Sequence, residues 1–166
     1  MQTDGPLQQV PLIVSIMRSE ECSGGRVFIL RLDEGEILHE AVESFAASNN
    51  INAAAVTAVG GAGKGSKLVV GPEMPLSSPV VPLFHELDAP HELTGTGTIF
   101  LNANGRPVMH MHCSCGREGG SVTGCVRAGV IVWLVMEVVI TEMSGCRARR
   151  LADGRSGFEL MTPDAV

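Results

Sequence analysis

The sequence predicts an α+β domain: a mainly antiparallel sheet of about eight strands with one main amphipathic helix. Short runs rich in β-branched residues recur along the chain, separated by Gly-, Pro- and Asn-rich turns. A single segment, Glu34 to Asn50, carries apolar residues at helical spacing. Hairpin signals join many of the strand-like runs, and hairpins make antiparallel neighbours. At 166 residues the chain fits one domain. With 45% hydrophobic and 18% charged residues its composition is globular, and a core of this size needs no disulfide staples.

Val10 to Arg18 reads as a first strand with weak alternation, inside an N-terminal extension over residues 1–25. The domain proper runs over residues 26–161, with a tail at 162–166. Arg26 to Leu32 is short, apolar and rich in strand formers. The period then changes. Ile37, Leu38, Ala41, Val42, Phe45 and Ala46 give the Glu34–Asn50 segment one apolar face, with Glu34 and Glu36 at the end where the helix dipole favours acids. "INAAAVTAVG" and "GSKLVVG" read as buried neighbouring strands. "PEMPLSSPVVP" holds four prolines and must be a loop or an edge. His91 to Ala103 alternates and runs into Asn104-Gly105, a two-residue hairpin signal that returns the chain through "RPVMHMHCSC". "GREGGSVTG" reads as a loop. "VRAGVIVWLVMEVVITEM" predicts one long central strand, and "CRARRLADGRSGFEL" a last strand, a turn and a short end.

The net charge of −6 and pI near 5.3 argue against a chain that holds DNA by its own electrostatics. The opening residues lack a basic start followed by an apolar run, so no secretory signal is expected. The longest apolar run, Gly129 to Ile140, is too short to span a bilayer and contains Glu137. Five cysteines without a disulfide-framework spacing suit reduced thiols in a cytoplasm.

Two tempting motifs fail. "VGGAGKGSK" resembles a phosphate-binding loop, but Gly65 follows Lys64 and Ala58 stands where the first Gly belongs. A turn between strands explains it. "HELDAPH" places His85 and His91 six apart around Pro90, which no zinc-protease helix allows. Those histidines read as surface or edge residues. In "CRARR", Arg147 and Arg149 share one strand face and Arg150 takes the other, a solvated or acid-pairing edge.

"VMHMHCSCG", Val108 to Gly116, carries the chemistry. On a strand His110, His112 and Ser114 share one face, while Met111, Cys113 and Cys115 share the other. Alternate residues lie about 7 Å apart, so two imidazoles can converge on one metal ion. A third ligand must come from elsewhere, and Cys125, past a short Gly-rich stretch on the returning chain, is the candidate. A His, His, Cys set leaves a tetrahedral Zn²⁺, or another divalent transition metal, one open position. The thiolate also makes a bound water less acidic than three neutral imidazoles would. Glu92 is a candidate supporting residue for that face. Two competing readings remain: hydrogen-bonded histidines at a subunit contact, and a site built on Cys113, Cys115 and a third cysteine.

These residues resemble the plants-and-prokaryotes-conserved (PPC) domain. The match runs from "RVFILRLDEGEILHEAVESFAASNNINAAAVTAVGGAG" through "HELTGTGTIFLNANGRPVMHMHCSCG" and "SVTGCVRAGVIVWLVMEVVITEM" to "RRLADGRSGFELM". The resemblance implies a homotrimer of the stand-alone bacterial type, mostly regarded as DNA-binding or DNA-associated regulatory proteins. It also implies a three-histidine metal site. Two of those histidines match His110 and His112, and the third falls at Cys125. No AT-hook, the DNA-holding element of plant members, lies in these residues. The fold also resembles zinc-dependent acetolactate decarboxylase, so the alternative is a zinc enzyme, a lyase or hydrolase, acting on a small anionic or carbonyl substrate.

Overall fold

The apolar runs pair into one sheet because each is too short and too β-branched to be anything but a strand. A computed structural model describes residues 17–74, 80–154 and 156–163. Its strands are β1 (Ser23–Asp33), β2 (Ala53–Ala62), β3 (Lys67–Pro72), β4 (Pro82–Glu86), β5 (His91–Asn102), β6 (Pro107–Arg117), β7 (Gly120–Cys125), β8 (Val132–Ser144), β9 (Arg149–Ala152) and β10 (Glu159–Thr162). The main path orders them β1-β8-β2-β5-β6-β7-β3-β4, every neighbour antiparallel. β9 pairs antiparallel with β10 and lies parallel to the end of β5. The α+β class and the antiparallel sheet stand as expected, with ten strands among the described residues instead of eight.

The helix α1 (Leu38–Ser48) buries Leu38, Val42 and Ala46. They pack on the inner face of the sheet against a core that includes Val56, Ile99, Met109, Met111, Met136 and Ile140. The helix starts later than the acidic stretch suggests. Glu36 lies before it and accepts the Asp33 amide at 2.7 Å. The C-terminus falls at Asn49, and Asn50 takes a φ of 54°. Asparagine tolerates that left-handed conformation better than most residues.

Three local expectations change. Asn104-Gly105 does not close a two-residue turn: Leu101 faces Pro107, and the Asn102 side chain accepts the amides of Asn104 and Arg106. That Asx-type bonding stabilises a four-residue loop. "GREGGSVTG" is mostly strand. Arg117 pairs with Gly120 across a tight turn in which Glu118 and Gly119 have φ of 52° and 81°. The long central strand begins only at Val132, because Val126–Ala128 forms a 3-10 turn. β4 begins at Pro82, the last residue of the stretch expected to be a loop or an edge, and it is an edge strand, in keeping with that expectation. The strand expected at Val10 to Arg18 lies outside the described residues except Met17 and Arg18, which are not in a strand. No helix among the described residues is long and apolar enough to cross a membrane.

α1 covers the inner face of the sheet. Among the described residues, the outer face is covered only at one end. There the chain after β8 folds back and Ala148 packs on Ala53 and Phe100, with Met143 and Cys146 beside them. No other described residues cover the rest of the outer face, and the candidate site lies on it.

Candidate metal centre

Strand alternation puts the two histidines of β6 on the outer face. His110 and His112 are exposed, while Met109, Met111, Cys113 and Cys115 are buried in the core. β7 supplies the third group through the tight turn at Glu118-Gly119, which sets the register so that Cys125 lies directly across from His112. Directly opposed residues share a face. The ligand atoms of His110, His112 and Cys125 lie within 4.8 Å of one another.

The donor set fits a four-coordinate divalent ion. The Nε2 atoms of His110 and His112 are 3.2 Å apart, with the rings edge to face at 82°. Two nitrogens bound tetrahedrally at the usual Zn–N length would stand about 3.3 Å apart. Partial desolvation, then the charge of Arg150 and the neighbouring His112 and Arg127, hold His110 below the ordinary imidazole value. Those causes favour the neutral ring, the form that binds metal. A bound ion would supply Lewis acidity at its remaining position.

Glu92 shares this face, since it pairs with Gly116 as Thr96 pairs with His112. It is exposed and four residues along β5 from Thr96, about 13 Å at the usual rise. The other cysteines are free thiols. Cys113 and Cys115 face away from the site, with sulfurs 3.8 Å apart. Their mutual hydrogen bond and burial raise the Cys113 thiol far above its usual range. Burial, and the Cys22 thiol and Glu20 beside it, push Cys146 up to about 11. His85 is exposed on edge strand β4, and His91 bonds the Ala89 carbonyl at 2.8 Å.

Sequence reasoning missed the charged surroundings. Arg150 is 2% exposed, although its cluster read as a surface edge. Its Nη2 donates to the Thr98 carbonyl at 3.2 Å and to Thr98 Oγ1 at 3.0 Å, and its Nε donates to the Val108 carbonyl at 3.2 Å. Thr98 is the residue directly across from His110. On the other side, the Glu43 carboxylate of α1 accepts the Met109 amide at 2.8 Å. Strand parity did separate Arg150 from Arg147 and Arg149, but nothing local says that β9 lies against β5. Beside His112 the outer face dips into a depression of about 620 Å³, lined by Thr57, Thr96, Ser114, Thr123 and Glu137 among others.

No curated protein matches this sequence. Solved structures do. A metal-containing protein from Archaeoglobus fulgidus superposes with a TM-score of 0.77 at 25% identity, covering 88% of this chain and 99% of its own. A plant- and prokaryote-conserved (PPC) protein from Pyrococcus horikoshii gives 0.76 at 24% identity, over 90% and 100% of the two chains. A protein from Bacteroides thetaiotaomicron, described as a candidate DNA-binding protein, gives 0.70 at 16% identity, over 87% and 99%. Residues 19–144 match the Plants and Prokaryotes Conserved (PCC) domain, and with that match over most of its length the chain belongs to the PCC domain family.

Proposed function

We propose that this PCC-domain protein is a metal-binding homotrimer acting in DNA-associated regulation, with His110, His112 and Cys125 holding Zn²⁺ or a similar divalent transition ion. The observation that carries the metal is the 3.2 Å approach of two Nε2 atoms with Cys125 beside them. The metal-containing description of the Archaeoglobus relative supports it. The test is metal analysis of protein purified without a His tag. The expected result is a bound transition ion in the parent chain, lost in His112→Ala and weakened in Cys125→Ala. Parent protein that takes up no divalent transition ion would overturn the metal reading.

Assembly is supported by the open outer face. Ile29 is 83% exposed there, beside Val27, Val59 and Val139. A contiguous apolar patch of this kind marks an interaction surface. The family resemblance sets the expected number at three, and the mass of the native particle tests it. The DNA association rests on the description of relatives, while the charge of −6 points to contact through a partner. A gel shift at rising salt separates the two routes. Direct phosphate contact must weaken steeply with salt, and no binding at low salt leaves only the indirect route. The five free thiols suit a reducing cytoplasm.

The depression next to His112 favours a second function, a zinc-dependent lyase or hydrolase working on a small anionic or carbonyl molecule. Three protein ligands leave a metal position open toward solvent, as in catalytic zinc sites. Turnover of a small carbonyl or carboxylate compound that requires His112 would establish it.

A further inference from the structure

Ser66 and Arg150 are the buried polar or charged residues among the described ones. Ser66 is explained by its bond to the Ile131 amide at 2.9 Å. Arg150 is not explained so simply. It is a cation withdrawn from water with no ion pair to a carboxylate among the described residues. Its guanidinium lies 5.6 Å over the Phe100 ring, which offsets only part of the cost of burying a charge that no carboxylate pairs.

The guanidinium is held rigidly, and one edge of it is unused. Three hydrogen bonds, all to Thr98 and Val108, occupy Nε and Nη2. Nη1 has no hydrogen-bond partner among the described residues, yet it is not an enclosed orphan, a condition found among them only at His39 Nδ1. The plane is fixed next to the metal candidates. Thr98 faces His110 across the β5–β6 ladder, and Val108 precedes His110 by two residues. Arg127 adds a second positive charge from the turn just after Cys125, and it is exposed. The acids that face Arg150 are Glu43, already bonded to the Met109 amide, and Glu159 of β10.

We propose that the centre takes a small oxyanion, a carboxylate or a phosphate, with one oxygen on the metal's open position and another on Arg150 Nη1, and with Arg127 drawing the anion in. The proposal rests on the metal reading above and names the ligand class of that same site. The Thr98 and Val108 bonds fix the guanidinium plane, so the remaining Nη1 can donate a charge-assisted hydrogen bond to one oxygen of such an anion. Arg150 is then a ligand-binding residue and Arg127 a steering one.

The test uses the full chain loaded with Co²⁺ in place of the native ion. Acetate, inorganic phosphate and, at matched ionic strength, chloride are titrated in turn while the visible absorption of the cobalt is followed. The expected result is a saturable spectral change with acetate or phosphate and none with chloride. A response to acetate alone identifies a carboxylate ligand, and a response to phosphate alone a phosphate. Arg150→Lys keeps the charge but loses the Thr98 and Val108 bonds that fix the Nη1 donor, and should weaken that response about ten- to a hundred-fold while cobalt uptake persists. Because Arg150 is buried, the exposed Arg127→Ala serves as the second variant, expected to weaken the response by a smaller factor and more at low salt than at high salt. A cobalt centre that ignores both oxyanions, that answers chloride equally, or that responds identically in both variants overturns the proposal and leaves the metal site standing. A chain that takes up no cobalt removes the metal reading and this one together.

Discussion

β6 shows two chemistries on one strand. Toward α1 it presents Met109, Met111, Cys113 and Cys115, all buried in the core. Toward the open side it presents His110, His112 and Ser114, next to Cys125 and Arg150. The residues alternate, so every side chain of one region is bonded through the backbone to the other. What separates them is cover. The inner face has a helix over it, and burial of its apolar groups there stabilises the fold. Among the described residues the outer face has cover only at the Ala53–Phe100–Ala148 end, which leaves polar donors and an apolar patch exposed. Two cysteines two residues apart are therefore inert core, while a third, one strand over, is a ligand candidate.

Substitutions on either side of β6 should break that contrast most visibly. Met111→Ala removes a fully buried side chain and should cost about 2–5 kcal/mol in denaturant unfolding. His112→Ala, on metal-free protein, should change stability by no more than about 0.5 kcal/mol, as for an exposed position. Comparable losses from both would erase the distinction between the faces. Gly97 comes next. It pairs with Met111 on the inner side, and a Cβ there would meet the His110 carbonyl and stand 2.6 Å from Met111 Cβ. Gly97→Ala should therefore cost about 1–3 kcal/mol by overpacking, measured in the same way.

The inner face was legible because burial leaves a periodic trace. Leu38, Val42 and Ala46 recur at helical spacing, and β6 alternates cleanly. The outer face was legible only in part. Parity placed His110 and His112 together, and the place of Cys125 just past a short Gly-rich stretch offered it as the third ligand, which the family resemblance then matched to a histidine position. Arg150 was hidden because its contacts with Thr98 and Val108 depend on β9 lying parallel to the end of β5, a pairing between residues 48 apart with no hairpin signal. The turns misread for local reasons. Asn102 captures two amides and lengthens its loop, and Glu118 adopts a positive φ that its residue type does not advertise.

A smaller effect on the folded chain, and a larger one on its assembly, is expected at Ile29. Ile29→Glu places a charge in the exposed apolar patch formed with Val27, Val59 and Val139. Light scattering should then report a monomer-sized particle, with circular dichroism unchanged. A particle of parent mass would show that the open face is not the assembly surface.

The smallest effect belongs to the rim, where the inner face meets water. There Arg26 grips Glu142 with bonds of 2.7 and 2.8 Å, donates to the Asn49 carbonyl at the end of α1, and stacks on Phe28. The hydrogen bonds and charge of Arg26 hold the Glu142 carboxyl below its ordinary value. A depressed carboxylate stabilises the fold above the ordinary Glu value near 4.5, and that contribution is lost as pH falls through the folded value. The exposed geometry keeps it small. Glu142→Gln should thus lower stability slightly at neutral pH and flatten the decline below pH 4.5. Thermal melts of the two chains across that range should converge as the pH drops. If they stay parallel, the rim pair contributes nothing that titrates, and the inner face is held by its apolar contacts alone.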